Sequence, residues 1–81
     1  MKSLKMEEKE FYLRENESFI ELNNLLKIMM LVQSGGEAKL RINDGEALLN
    51  GEVETRKRKK IMDGDKVEFD GVIIHVKNYQ A

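Results

Sequence analysis

Five consecutive bases, Arg56-Lys57-Arg58-Lys59-Lys60, are where this sequence concentrates its chemistry. Guanidinium groups grip phosphate through a planar fork and ammonium groups act as compact point charges, so a run of both kinds suits a polyanion. In an extended segment Arg56 and Arg58 face one way and Lys57 and Lys59 the other. A second set of groups lies at Ser34-Gly35-Gly36-Glu37. Ser34 can accept from the Glu37 amide while Glu37 reaches back, which is how a helix starts. The free amides of that first turn can hold one phosphate, and Gly35 and Gly36 allow it close. Lys39 and Asn43 share one face of the same helix, while Arg41 points elsewhere. Lys27 and the hairpin tip at Asn50 complete the candidate contacts. All are expected to touch the phosphate backbone, and none to read bases.

Other chemistries find little to use. The chain has no cysteine and one histidine, His75, which sits in a strand pattern with Ile73. A lone histidine without a base or orienting partner makes neither a catalytic pair nor a metal centre, so no catalytic residue, metal or cofactor is expected. Asp63 and Asp65 flank Gly64 and read as turn chemistry. No Lys-Ser/Thr follows Gly35-Gly36 to complete a P-loop. Ile28-Met29-Met30-Leu31 reads as core filling. No apolar run approaches the roughly 20 residues of a membrane span, and MKSLKMEEKEF lacks the apolar centre of a signal peptide. A cytoplasmic protein without membrane contact is expected.

The formal net charge of −1 does not announce a nucleic-acid binder, but its distribution is uneven. Over residues 1–22 six acids face four bases; over residues 23–62 eight bases face five acids. A nearly neutral chain can therefore carry a basic face.

These groups need a scaffold, and 81 residues allow one domain. Residues 1–9 are polar and aperiodic and are expected to form a flexible tail, with the domain over 10–81. Glu10–Arg14 alternates as a short strand, Phe11 and Leu13 on one face and Tyr12 on the other. Leu22, Leu25, Leu26 and Met29 follow helical spacing, and Ser18 with Glu21 forms a capping-box pattern, so the first helix is expected over about 19–30. The second is expected from Ser34 to Asn43, stopped by Asp44-Gly45. Asn50-Gly51 and Asp70-Gly71 each mark a two-residue hairpin turn, between Ala47–Leu49 and Val53–Thr55 and between Lys66–Phe69 and Val72–Val76. The expected fold class is α+β: two short helices packed on a small antiparallel sheet built from two hairpins, with an extra N-terminal strand.

The order of these features resembles the ribosomal-protein-S-four-like RNA-binding domain, or αL motif. The matching positions are Ser34, Ala38-Lys39, Gly45, Asn50-Gly51, Arg56–Lys60 and Gly64-Asp65, preceded by FIELNNLLKI as the first helix. The resemblance covers about 19–76 and is strongest to the small stand-alone bacterial proteins of YaaA/YbcJ type, where ETRKRKKI is distinctive. It implies docking on structured RNA, ribosomal RNA first among them, and a ribosome-associated role. Many members carry arginine directly after the serine, where this chain has Gly35. That departure moves weight from side chains to backbone. A monomer is expected. Two other readings compete: a module that docks a ribosome-associated protein, and a DNA binder using the helix pair, the latter weakened by a short second helix that begins with glycines.

Overall fold

Val72, Ile74 and Val76 alternate with Ile73, His75 and Lys77, and this period of two produces the longest inner strand of the protein. The computed structural model describes residues 6–81. In it β1 is Glu7–Tyr12, β2 Ile20–Glu21, α1 Leu22–Ile28, α2 Gly35–Asn43, β3 Leu48–Leu49, β4 Glu52–Val53, β5 Lys60–Ile61, β6 Lys66–Phe69 and β7 Val72–Lys77. Asp70 and Gly71, at φ 56° and 80°, turn β6 into β7, and Asn50 and Gly51, at φ 51° and 89°, turn β3 into β4. Both dipeptides thus supply the positive φ values that a tight hairpin requires. β3 lies antiparallel to β6, giving one five-stranded sheet ordered β1-β7-β6-β3-β4.

The sheet is mixed, because β1 runs parallel to β7 from Glu7↔Val72 to Tyr12↔Lys77. Glu7–Lys9, expected in the tail, form the first half of this strand. The reason is tertiary: six residues of β7 offer an open edge, and Glu8 meets His75 at 2.8 Å while Glu10 meets Lys77 at 3.2 Å. None of that shows in the local pattern. The strand's other end is fixed as expected, with Phe11 against the core and Leu13 fully buried. Residues 1–5 of the expected tail lie outside the described residues.

The first helix is shorter than its pattern. Leu22, Leu25 and Leu26 are buried as the spacing predicts, but Ile20 and Glu21 form a strand paired with Ile61 and Lys60. Ser18 caps nothing. The first amides of α1 instead donate to the main chain of the basic segment, Leu22 N to Lys59 O and Asn23 N to Lys57 O, both at 2.9 Å. Backbone carbonyls from 34 and 37 residues downstream satisfy groups that a local side chain is expected to cap. The helix ends at Ile28 with Met29 as its C-cap, and Met30 follows at φ 62°.

The second helix starts and stops as its sequence dictates. Ser34 Oγ accepts from Glu37 N at 3.1 Å, and Glu37 Oε1 accepts from Gln33 N at 2.8 Å, one residue earlier than a standard capping box. Gly45, at φ 82°, closes it. Ala38 and Ile42 from α2 join Leu22, Leu25 and Leu26 over the sheet face that carries Val67, Phe69, Val72, Ile74 and Val76. Both helices therefore cover one side of the sheet. Among the described residues, no helix is long and apolar enough to cross a membrane.

Candidate nucleic-acid interface

The basic segment leaves the sheet at β4 and is anchored at once. Glu54 is buried at 8% exposure, its amide donating to Ala47 O at 2.9 Å. It holds the next arginine in a two-pronged grip, Arg56 Nε to Oε2 at 2.9 Å and Nη2 to Oε1 at 3.1 Å, and Arg56 N adds a third bond at 2.9 Å. The chain then turns, with Lys59 N donating to Arg56 O at 3.1 Å. Arg56–Lys60 is therefore not extended, and the expected alternation of arginines against lysines does not hold. The carbonyls of Lys57 and Lys59 must face inward to meet α1, which forces the bend. Arg58 stands exposed at the turn, and Lys60 Nζ lies 4.9 Å from the centre of the Phe19 ring. Arg56, Lys59 and Asn50 border one shallow depression beside the β3–β4 hairpin.

Arg56 also sets the charge of its anchor: its hydrogen bond, with its charge beside it, holds the Glu54 carboxyl below the usual carboxylate range despite burial. A carboxyl with a lowered folded pKa stabilises the fold fully above its unfolded value and loses that contribution as the pH falls through the lowered one. Acid titration of the wild type is therefore expected to show a stability loss below about pH 4.5, the ordinary value of this group. Glu54→Gln should flatten that part of the profile and lower stability at neutral pH, as read by thermal unfolding between pH 3 and 7.

The other candidate groups gather at the far end of α1. Lys27 lies in the last turn of that helix, and its Nζ sits 3.8 Å from where a Cβ on Gly35 would be. The ammonium thus stands beside the first turn of α2, where helix geometry leaves the Gly35 and Gly36 amides without intrahelical acceptors. The only atom near a Cβ placed on Gly36 is the Ser34 hydroxyl, at 3.8 Å, so the turn is open. The helix dipole and the adjacent cation favour an anion here. Lys39 is exposed further along α2. Seven residues of α1 span roughly 10 Å and separate this corner from the basic turn. The fold thus places two cationic positions at the two ends of one short helix whose inner face is buried.

Two candidate residues have structural employment. Arg41 is 24% exposed and reaches three carboxylates: Glu46 at 2.8 Å, Asp70 at 3.1 Å and Glu37 at 3.4 Å. Its guanidinium also lies 4.5 Å from the Phe69 ring centre. Glu46, and Asp70 after it, hold it yet more firmly protonated than a free arginine. Arg41 ties α2 to the β6–β7 turn, and its guanidinium is taken up by carboxylates of the fold. Arg41→Ala, which leaves three carboxylates unpaired, is expected to lower the unfolding midpoint by several degrees. The salt dependence of ligand binding by the folded variant should stay that of the wild type.

Asn50 is used at both ends of its amide. Nδ2 donates to Asp65 at 3.0 Å, and Oδ1 accepts from Lys66 N at 2.9 Å. Asp65 in turn accepts from Met62 N at 2.8 Å, which locks the hairpin tip to the turn at Gly64. Asp63 accepts from Asn78 N at 2.9 Å, so both aspartates are turn residues as expected. Sequence reasoning missed Glu54, the seat of Arg56. Its signal was an acid two residues ahead of the first arginine, at the exit of a strand, with nothing local to mark it as buried.

A small α+β module with a cationic helix junction and a basic turn stitched to it is thus defined by fold and site together. The chain belongs to the S4 domain family, which matches residues 12–77. Over 57 residues it is 44% identical to YbcJ of Escherichia coli (strain K12), named as a candidate RNA-binding protein, covering 70% of this chain and 81% of that one. YbcJ of Shigella flexneri matches to the same extent. RlbA of Bacillus subtilis (strain 168), named as a candidate ribosome maturation protein, is 40% identical over 52 residues, 64% of this chain and 73% of its own length.

Proposed function

We propose that this protein is a non-catalytic RNA-binding module that docks on structured RNA, ribosomal RNA in the first instance, through phosphate-backbone contacts. One observation carries the reading: the carbonyls of Lys57 and Lys59 are bonded to the first amides of α1, so the cations are held by main chain in a fixed place. A merely solvated charge run has no need of such anchoring. Membership of the S4 domain family supports the reading, as do the RNA-binding and ribosome-maturation names of relatives at 44% and 40% identity.

Lys57, Arg58, Lys59 and Lys60 grip the backbone at one end of α1, with Arg56 presenting the free edge of its guanidinium from Glu54. Lys27, with the Ser34, Gly35 and Gly36 turn, takes a phosphate at the other end, and Lys39 extends that corner. Arg41 and Asn50 act through the fold. Charge is the main recognition element, and A-form geometry fixes where the phosphates lie.

Titrating the protein with fragmented ribosomal RNA and with duplex DNA of equal length, at two salt concentrations, tests this. Preference for RNA is expected, with affinity falling steeply in salt by a log–log slope of about −0.7 to −0.9 for each phosphate neutralised. Equal, salt-insensitive or negligible binding to both would refute it.

A further inference from the structure

We propose that Met30 is an apolar contact residue that packs against an unpaired base of the bound RNA, beside the phosphate held by Lys27 and the first turn of α2. This rests on the RNA-binding reading above and adds a contact of a different kind to it.

The two helices of this chain end in the same way, and that makes Met30 stand out. In α2 the amide of Glu46 bonds to Arg41 O at 3.2 Å and that of Gly45 to Ile42 O at 3.0 Å. In α1 the amide of Leu31 bonds to Leu26 O and that of Met30 to Lys27 O, both at 3.0 Å. These are the paired 6→1 and 5→2 bonds of one capping motif, whose central residue is left-handed and ordinarily glycine. Gly45 meets that demand in α2 at φ 82°, whereas α1 places Met30 there at φ 62°. A side chain is disfavoured in that conformation.

Nor is the side chain repaid by burial. Met30 is 86% exposed, the highest value among the exposed large apolar residues, and Ile28 beside it is 51% exposed. A residue that costs the fold in its backbone and returns nothing to the core is the kind that marks a functional position.

Its place decides what it meets. The Met30 amide is bonded to the carbonyl of Lys27, the residue whose ammonium stands beside the α2 first turn. A phosphate held there brings its own nucleotide against the end of α1. The neighbouring surface, Gln33 through Gly36, is exposed and polar or small, which suits a nucleotide with one apolar face and a charged backbone. One flexible, polarisable thioether is enough to cover an aromatic ring. Methionine is among the side chains that wedge against base steps. A-form duplex hides its rings, so the contact requires an unpaired base.

The test compares wild type, Met30→Gly, Met30→Leu and Lys27→Ala on a fully paired RNA duplex and on the same duplex with one bulged nucleotide. Met30→Gly relieves the left-handed side chain and is expected to raise the unfolding midpoint by about 3–6 °C. It should also weaken binding to the bulged RNA about five- to tenfold, with little change on the duplex and none in the salt slope. Met30→Leu keeps an apolar side chain and should keep the preference for the bulge. Lys27→Ala should weaken both complexes and make the slope shallower by about 0.7 to 0.9. A stabilised Met30→Gly that binds the bulged RNA as tightly as wild type overturns the proposal, as does a loss equal on both RNAs. Wild type that binds neither RNA overturns the underlying reading as well, so the two failures are distinct.

Discussion

Replacing Lys57 and Arg58 together by glutamate is expected to weaken binding to structured RNA by about a hundredfold or more, with the fold intact. Each charge-assisted contact is worth roughly 1.5–3 kcal/mol, so losing two already reaches that factor, and the new carboxylates repel phosphate in addition. The two residues sit at the turn of the basic segment, where Lys57 bonds to α1 through its main-chain carbonyl and Arg58 stands exposed. Their side chains can therefore be exchanged without disturbing the Leu22 and Asn23 bonds. Arg56 is a poor choice for the same experiment, because a glutamate there would face the buried Glu54 and confuse affinity with stability. The log–log salt slope should become shallower by about 1.4 to 1.8, two phosphates' worth. Unchanged affinity in a double variant with wild-type thermal unfolding would remove the basic turn from the interface.

Ile61→Ala is expected to have the largest effect on stability among changes that bear on the site, about 2–4 kcal/mol. Ile61 is fully buried, and its strand pairs with Ile20 to hold the basic turn against α1. A domain this small buries a modest share of its surface, so a loss of that size consumes much of its stability. Denaturant unfolding followed by circular dichroism would read it. RNA affinity of the variant, measured cold where it stays folded, should fall as well, because the cavity loosens the seat of Lys57–Lys60. A change confined to stability, with affinity untouched, would mean that the turn does not depend on this pairing.

Features written in neighbouring residues could be read from the chain alone. Ser34 and Glu37 start α2, Gly45 ends it, and Asn50-Gly51 and Asp70-Gly71 turn two hairpins, each through local backbone preferences. The apolar spacing placed Leu22, Leu25 and Leu26 in the core for the same reason. Features that depend on distant partners could not be read. The parallel pairing of β1 rests on an open edge of β7, some 65 residues away, and it recruited Glu7–Lys9 out of the expected tail. The cap of α1 comes from Lys57 and Lys59, so Ser18 was a reasonable cap that lost to a tertiary one.

The candidate site divides along the same line. Composition located the basic run, and spacing located the Ser34–Gly36 turn. Their geometry followed from contacts that sequence does not display. Glu54 holds Arg56, the carbonyls of Lys57 and Lys59 bend the segment toward α1, and three acids with Phe69 claim Arg41 for the fold. Asn50 reads in sequence as a hairpin tip that can touch RNA, but Asp65 and Lys66 hold both ends of its amide.

The most direct test of the central claim is to follow backbone amide signals by NMR while a structured RNA hairpin is added. Shifts should gather at Lys57–Lys60, at Lys27 and at Ser34–Gly36, and should fade as salt is raised. The sheet face that bears Glu8, Glu10, His75 and Lys77 should stay still. Changes centred on that face, or none at RNA concentrations that saturate binding, would contradict the account.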